Sequence, residues 1–146
     1  MTEIKRSIII EAPVDKVFEY ASDYKKWLEF FEGVSDFKPI TTITRGSGSK
    51  YIYKAKVLGM NVTVGTEVQQ FKENEGWRGK SFKGLAHQTQ WIFKKSNGNT
   101  EFTFIQHYKL PFYLGGKLID KMFAEPAWVK IIENSLQNLK RILEAK

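Results

Sequence analysis

The segment that decides the fold is residues 87–110, HQTQWIFKKSNGNTEFTFIQHYKL. On either side of its central turn, bulky side chains recur at every second position, which is the period of a β-strand. The face so defined carries His87, Thr89, Trp91 and Phe93 before the turn, then Phe102, Phe104, Gln106, Tyr108 and Leu110 after it. Ser96-Asn97-Gly98-Asn99 between them is typical of a tight connection. The segment therefore predicts an antiparallel hairpin with one face that mixes apolar and polar side chains.

The same alternation extends toward the N-terminus over residues 51–58 and 62–68. Turn-forming residues separate these segments, at Gly46-Ser47-Gly48, Gly59, 73–76 and Gly84. Connections this short join antiparallel neighbours, because a parallel crossover needs about a dozen residues or more. We therefore expect a meander of about six strands between Val34 and Leu110.

Helical spacing precedes the meander. Residues Glu3–Ile10 predict a first strand that joins the sheet, and Pro13 then suits the first turn of a helix, where its missing N–H is harmless. Apolar side chains follow at helical spacing in two groups: Val14, Val17, Phe18 and Ala21, then Tyr24, Trp27, Leu28 and Phe31. The sequence thus predicts two short helices, the second of which ends at Gly33.

Beyond Pro111 the apolar period is helical again. The stripe comprises Met122, Val129, Ile132, Leu136, Leu139 and Leu143. Pro126 removes one backbone hydrogen bond, so the helix bends or restarts there, and Gly115-Gly116 predicts a flexible hinge before it. We expect an α+β fold of residues 1–146 as one domain. In it, a seven-stranded curved antiparallel sheet is covered on its concave face by the long C-terminal helix.

This architecture predicts a cavity. One helix about 10–12 Å wide does not fill the concave face of a twisted sheet, and large rings such as Trp77 and Phe102 either plug the remaining space or line it. Polar side chains on the inner face favour a lined cavity. Burying such groups unpaired costs about 1–3 kcal/mol each, so they must bond one another, water or a ligand.

We expect the cavity to be lined by Tyr20, Trp27, Phe31, Tyr53, Val64, Trp77, His87, Thr89, Trp91, Phe104, Gln106, Tyr108, Met122 and Val129. Of the two histidines, His87 is the better candidate for proton transfer, but a hydrogen-bonded core histidine is the favoured interpretation. We assign no catalytic residue. No metal or cofactor is expected either, because the chain has no cysteine and alternation places His87 and His107 on opposite faces.

Short motifs in a fixed order add a family resemblance. They are IIEAPVDKVF (9–18), WLEFFEGV (27–34), GSG (46–48), NTEFTF (99–104) and NLKRIL (138–143). The chain resembles the START-like (SRPBCC, helix-grip) superfamily, in particular its polyketide cyclase/dehydrase and coenzyme Q-binding branch. The resemblance implies a cavity between the sheet and the last helix, gated by loops and the two short helices. It implies no single reaction, because that fold hosts lipid carriers, hormone receptors, cyclases and co-chaperones.

Composition limits the partners. The formal net charge is +7, but the basic residues are scattered, so we expect a solvated surface and no nucleic-acid binding. The first apolar run, Ser7–Ile10, is too short for a signal or membrane segment, and the absence of cysteine suits a reducing compartment, which together predict a cytoplasmic protein. Exposure of Trp27 or Phe30 would suit transient membrane contact at most. We expect a monomer or a homodimer.

These observations favour binding or carriage of a hydrophobic small molecule: a lipid, a quinone or a polycyclic, polyketide-like compound. Two alternatives stay open. One is a cyclase/dehydratase-type enzyme that uses the same cavity, with His87, Gln106 or Tyr108 handling protons. The other is a protein-interaction module that docks a partner on its exposed sheet or basic surface.

Overall fold

The computed structural model describes residues 1–145. Its strands are β1 (Thr2–Ile10), β2 (Val34–Pro39), β3 (Lys50–Val57), β4 (Met60–Lys72), β5 (Gly76–Lys83), β6 (His87–Ser96) and β7 (Asn99–Tyr108). They form one antiparallel sheet in the order β1-β7-β6-β5-β4-β3-β2, so β1 pairs with the end of the meander. The predicted helix-grip fold, with seven strands and a long C-terminal helix, is confirmed.

The helices lie near the places that the apolar spacing predicts, but the second one ends at Phe30, before the predicted end at Gly33. Helix α1 spans Val14–Ala21, and a 3-10 turn over Tyr24–Lys26 runs into the short helix α2, Trp27–Phe30. After β7, a 3-10 turn (Phe112–Leu114) leads to α3 (Gly116–Ile119), a π-helical turn (Asp120–Ala124) and α4 (Glu125–Glu144). Pro126 is the second residue of α4 and directly follows the π turn; the backbone stays right-handed helical through Ala124 and Glu125, so the helix does not restart there.

Helix α4 covers the sheet with a face that differs in part from the predicted stripe. Ile132, Leu136, Leu139 and Leu143 are buried as expected, together with Trp128, whereas Met122 is 58% exposed. The prediction for Met122 was wrong because a π turn holds an extra residue and changes the helical phase between residues 120 and 124. A stripe counted at 3.6 residues per turn does not continue through that turn.

The hairpin of β6 and β7 sets the inner face of the sheet. Cross-strand partners include Phe93 with Phe102, Trp91 with Phe104, Thr89 with Gln106 and His87 with Tyr108. Facing residues in an antiparallel pair project to the same side. The predicted mixed face therefore exists, with rings toward the turn and polar groups toward the other end.

The turn end of this face is packed with rings. We call Phe18, Phe71, Trp77, Phe93 and Phe102 the aromatic cluster. Phe18 is fully buried, and its ring centroid lies 5.1–5.7 Å from those of Phe71, Trp77 and Phe93, in edge-to-face geometry. Such contacts stabilise aromatic pairs by about 0.5–1.5 kcal/mol beyond area burial. Helix α1 is thereby fixed against the sheet.

Candidate functional site: a cavity beneath the C-terminal helix

A cavity of about 120 Å³ lies between the concave face of the sheet and the helices that cover it. Strands β2 to β7 supply most of its wall, and the helices contribute Trp27, Ala124 and Trp128. Most predicted residues line it: Trp27, Phe31, Tyr53, Val64, Trp77, His87, Thr89, Trp91, Phe104, Gln106 and Tyr108. The rings that alternate along the strands therefore meet around one space.

Three predicted residues lie outside this wall. Tyr20 is buried, but its hydroxyl donates to Glu29 Oε1 at 2.6 Å and its ring packs against Phe30. Val129 packs on the core from α4 without reaching the cavity, and Met122 projects outward from the π turn. In helices α1 and α4, apolar spacing predicts which face is buried. It does not distinguish side chains that pack in the core from side chains that line the cavity.

Sequence reasoning missed several lining residues. Tyr51, Ala55 and Val57 share the parity of Tyr53, so the alternation of β3 contained the signal for them. Phe37 had no such signal, because a bulge between Ser35 and Lys38 breaks the period of β2. Leu85 lies in the loop between β5 and β6, where no periodicity applies. Trp128 lies in a helix whose phase depends on the π turn, so apolar spacing could not place it on the cavity side.

A closed hydrogen-bond chain occupies one side of the cavity. His87 Nδ1 lies 2.8 Å from the carbonyl oxygen of Leu85, so Nδ1 must carry the proton and Nε2 must be the acceptor. The Thr66 hydroxyl donates to Nε2 at 2.6 Å, and the Tyr53 hydroxyl donates to Thr66 at 2.8 Å. Every donor in this chain has an acceptor. The chain of Tyr53, Thr66 and His87 is satisfied by protein alone.

Burial keeps these groups neutral. It lowers the pKa of His87 from the ordinary 6.5, against the opposing effect of the Leu85 carbonyl. Burial also raises the pKa of Tyr53 to about 12. No acidic or basic side chain of the described residues lines the cavity besides this neutral histidine. The wall is thus uncharged at neutral pH.

Thr89 and Gln106 differ from that chain. They face each other across β6 and β7, both line the cavity, and Gln106 is only 9% exposed. Within residues 1–145, neither side chain has a hydrogen-bond partner in the protein. Their polar atoms face the cavity space and are free to bond its contents.

A buried carboxylate joins three elements by hydrogen bonds at the edge of the cavity. The Tyr108 hydroxyl donates to Asp120 Oδ1 at 2.5 Å, and the Thr2 hydroxyl donates to Oδ2. Asp120 is 4% exposed and belongs to the π turn. Burial, then the bonded carboxylate, raise the pKa of Tyr108 strongly, so its proton stays on the phenol. These bonds connect β1 and β7 to the start of the covering helix.

The segment from Pro111 to Phe123 connects two lining residues, Leu110 and Ala124, and exposes much apolar surface. Its most exposed apolar side chains are Phe112, Tyr113, Leu118, Met122 and Phe123. Gly115 has φ of 107°, and a Cβ there would come 2.1 Å from Ile119 Cγ1, so this turn requires glycine. In residues 1–145 no helix combines the length and apolar character of a membrane span. The same residues contain no group of three metal-ligating side chains.

Solved structures share this architecture. The protein TTHA0849 from Thermus thermophilus superposes with a TM-score of 0.81 at 19% identity, covering 99% of this chain and 98% of that one. DR_A0006 from Deinococcus radiodurans gives 0.74 at 12% identity over 99% and 98% of the two chains. A START superfamily protein from Mycobacterium smegmatis gives 0.67 at 14% identity over 98% and 94%. At these identities the likeness shows the fold alone.

The family comparison goes further than the structural one. Curated proteins give no match to the sequence. A family model described as polyketide cyclase / dehydrase and lipid transport matches residues 1–144, which include every element of the fold. The chain therefore belongs to the polyketide cyclase / dehydrase and lipid transport family, with a START-like helix-grip fold.

Proposed function

We propose that the chain binds or carries a hydrophobic small molecule in the cavity between the sheet and its C-terminal helices. The observation that supports this most is a space of about 120 Å³ walled by aromatic and aliphatic side chains, with a few polar groups on one side. Small-molecule sites commonly have this composition. Membership in a family described by cyclase/dehydrase activity and lipid transport agrees with it.

The size of the cavity limits what enters without rearrangement. An engineered cavity of about 150 Å³ in another protein accepts benzene, so a space of this size accommodates about one ring. A longer or polycyclic ligand requires the covering elements to move. The segment from Pro111 to Phe123 is the natural moving part, because it joins two lining residues and contains the left-handed Gly115.

Displacement of a neutral dye, N-phenyl-1-naphthylamine, tests the proposal. We expect diverse apolar compounds to displace the dye, and native mass spectrometry of protein from its own host to detect a co-purified ligand. Val64→Phe should lower dye affinity at least about tenfold by filling the cavity. Thr63→Phe, on the opposite face of the same strand, is the matched control. Absence of binding across all compounds, or equal loss in both variants, would contradict the proposal.

A second candidate is an enzyme of cyclase/dehydratase type in the same cavity. The observation in its favour is the Thr66 hydroxyl at 2.6 Å from the neutral Nε2 of His87, whose orientation the Leu85 carbonyl fixes. A base oriented in this way can accept a proton from a ligand hydroxyl that replaces the Thr66 hydroxyl at Nε2. Turnover that drops at least about a hundredfold in His87→Ala, with ligand affinity retained, would support this candidate. Unchanged turnover would remove His87 from the role.

A further inference from the structure

We infer that the Thr89–Gln106 pair recognises a neutral carbonyl or hydroxyl group on a ring-sized ligand. This inference rests on the proposed function and names the chemistry of its ligand. Two independent observations carry it: an unmet hydrogen-bonding capacity at one place in the wall, and the absence of charge around it.

Among the hydroxyl and amide groups of the wall in the described residues, the unmet capacity is confined to one pair. Thr89 and Gln106 are direct cross-strand partners, and such side chains have Cβ atoms about 4.5–5.5 Å apart. One carbonyl or hydroxyl group can therefore reach both. Gln106 is nine-tenths buried, yet its amide bonds no protein group in residues 1–145. No fully buried side-chain N or O atom of the described residues lacks a partner, so the Gln106 amide is accessible from the cavity and can bond what occupies it.

The neighbouring hydroxyl and imidazole groups already have hydrogen-bond partners in the protein. The chain of Tyr53, Thr66 and His87 is satisfied internally, and Tyr108 donates to Asp120. These groups serve the protein's own structure. Among the hydroxyl and amide side chains of the wall in the described residues, only Thr89 and Gln106 have no protein partner. The indole N–H groups of Trp77, Trp91 and Trp128 are also without one, but an indole can only donate.

Glycine makes room for the Thr89 side chain itself. Gly79 of β5 faces Thr89, and a Cβ at that position would come 2.4 Å from Thr89 Oγ1 and 2.9 Å from Thr66 Cγ2. Because residue 79 has no side chain, the Thr89 hydroxyl can pack directly against the backbone of β5. Gly79 thus allows Thr89 to hold its hydroxyl in the wall, where it has no protein partner.

The wall selects a neutral group. A carboxylate, phosphate or ammonium entering the cavity would lose its hydration without meeting an opposite charge, which is strongly unfavourable. Threonine and glutamine each donate and accept, so together they suit a carbonyl that accepts two hydrogen bonds, or a hydroxyl that donates one and accepts one. A carboxylate or phosphate group does not fit against this wall.

Three single-ring probes of similar size test the inference: acetophenone, ethylbenzene and benzoate. Dissociation constants are measured at neutral pH by titration monitored by NMR. We expect the affinity of acetophenone relative to ethylbenzene to fall about tenfold to a hundredfold in Gln106→Leu, because the variant removes the amide and adds apolar surface. Gln88→Leu, an exposed amide on the outer face of β6, should leave this ratio unchanged. Benzoate should not bind.

If Gln106→Leu does not fold, the near-isosteric Thr89→Val variant is used instead. We expect it to lower the affinity of acetophenone relative to ethylbenzene by about tenfold. A ratio unchanged within about twofold in both variants, or benzoate that binds as tightly as acetophenone, would overturn this inference. Ethylbenzene binding would then leave the proposed function standing. Failure of all three probes to bind the parent protein would overturn both proposals.

Discussion

The two ends of the concave face are built from the same strands but are occupied differently. Toward the β6–β7 turn, the aromatic cluster fills the space with rings, such as Phe93 and Phe102, whose centroids lie 4.8 Å apart. Toward the other end the same strands carry Thr89 and Gln106, and a cavity of about 120 Å³ remains. The Trp91–Phe104 pair, 5.4 Å apart at 89°, forms the boundary between them.

This difference shows that the two ends of one strand pair can have different roles. The side chains of both strands are smaller at the Thr89–Gln106 level than at the boundary, and the neighbouring strand has Gly79 at the same level. Stability should therefore depend on ring packing at the turn end and on hydrogen bonds at the cavity end. Four substitutions test this division, in order of expected effect.

Phe18→Ala should have the largest effect. The fully buried Phe18 contacts three rings of the aromatic cluster, so its removal leaves a void and should lower the free energy of unfolding by about 3–5 kcal/mol. Urea denaturation measures this. Phe112→Ala, at a 94% exposed position, is the matched control and should change stability by less than about 0.5 kcal/mol. Similar losses in both variants would show that the cluster is not packed as described.

Tyr108→Phe tests the cavity end. The variant keeps the ring but takes one of two hydroxyl donors from the buried Asp120 carboxylate, which should cost about 1–3 kcal/mol of stability. Tyr113→Phe, on a side chain that is 80% exposed, should have no measurable effect. If Tyr108→Phe is as stable as the parent protein, hydrogen bonding does not hold the covering segment in place.

His87 should make stability depend on pH. Because burial lowers its folded pKa below 6.5, the unfolded chain binds more protons in the window between the folded pKa and 6.5. The free energy of unfolding should therefore fall as pH decreases through that window, with a contribution of at most about 1.4 kcal/mol per pH unit. His87→Gln should remove this slope, and His107→Gln on the outer face should keep it. A His87→Gln variant with an unchanged slope would contradict the buried, neutral state.

Gly79→Ala should have the smallest effect on stability and a selective effect on binding. The added methyl group would come 2.4 Å from Thr89 Oγ1 and displace that hydroxyl from its place in the wall, so affinity for acetophenone should fall about threefold to tenfold. The free energy of unfolding should change by less than about 1 kcal/mol, since the threonine side chain can turn away. Gly65→Ala, which meets only the half-exposed Phe82 ring, should not change affinity. Equal losses of affinity in both variants would show that Gly79 has no specific role in ligand binding.

Periodicity predicted the sheet and its inner face because the two-residue repeat of a strand is local. The same alternation placed Thr89 and Gln106 on the inner face. It could not predict that they lack hydrogen-bond partners, because partners depend on which strands become neighbours. Asp120 gave no signal: an acidic residue near a helix start is normally solvated, and its burial depends on Thr2 and Tyr108, which are distant in sequence. Met122 was misplaced because the π turn changes the helical phase.

The most direct test of the account is a crystal structure of the protein under xenon pressure, because xenon enters empty apolar cavities. We predict xenon density between Val64, Phe104 and Gln106, and none inside the aromatic cluster. An interior in which side chains fill the space around Gln106, with no xenon bound there, would contradict the cavity and the ligand-binding function proposed from it.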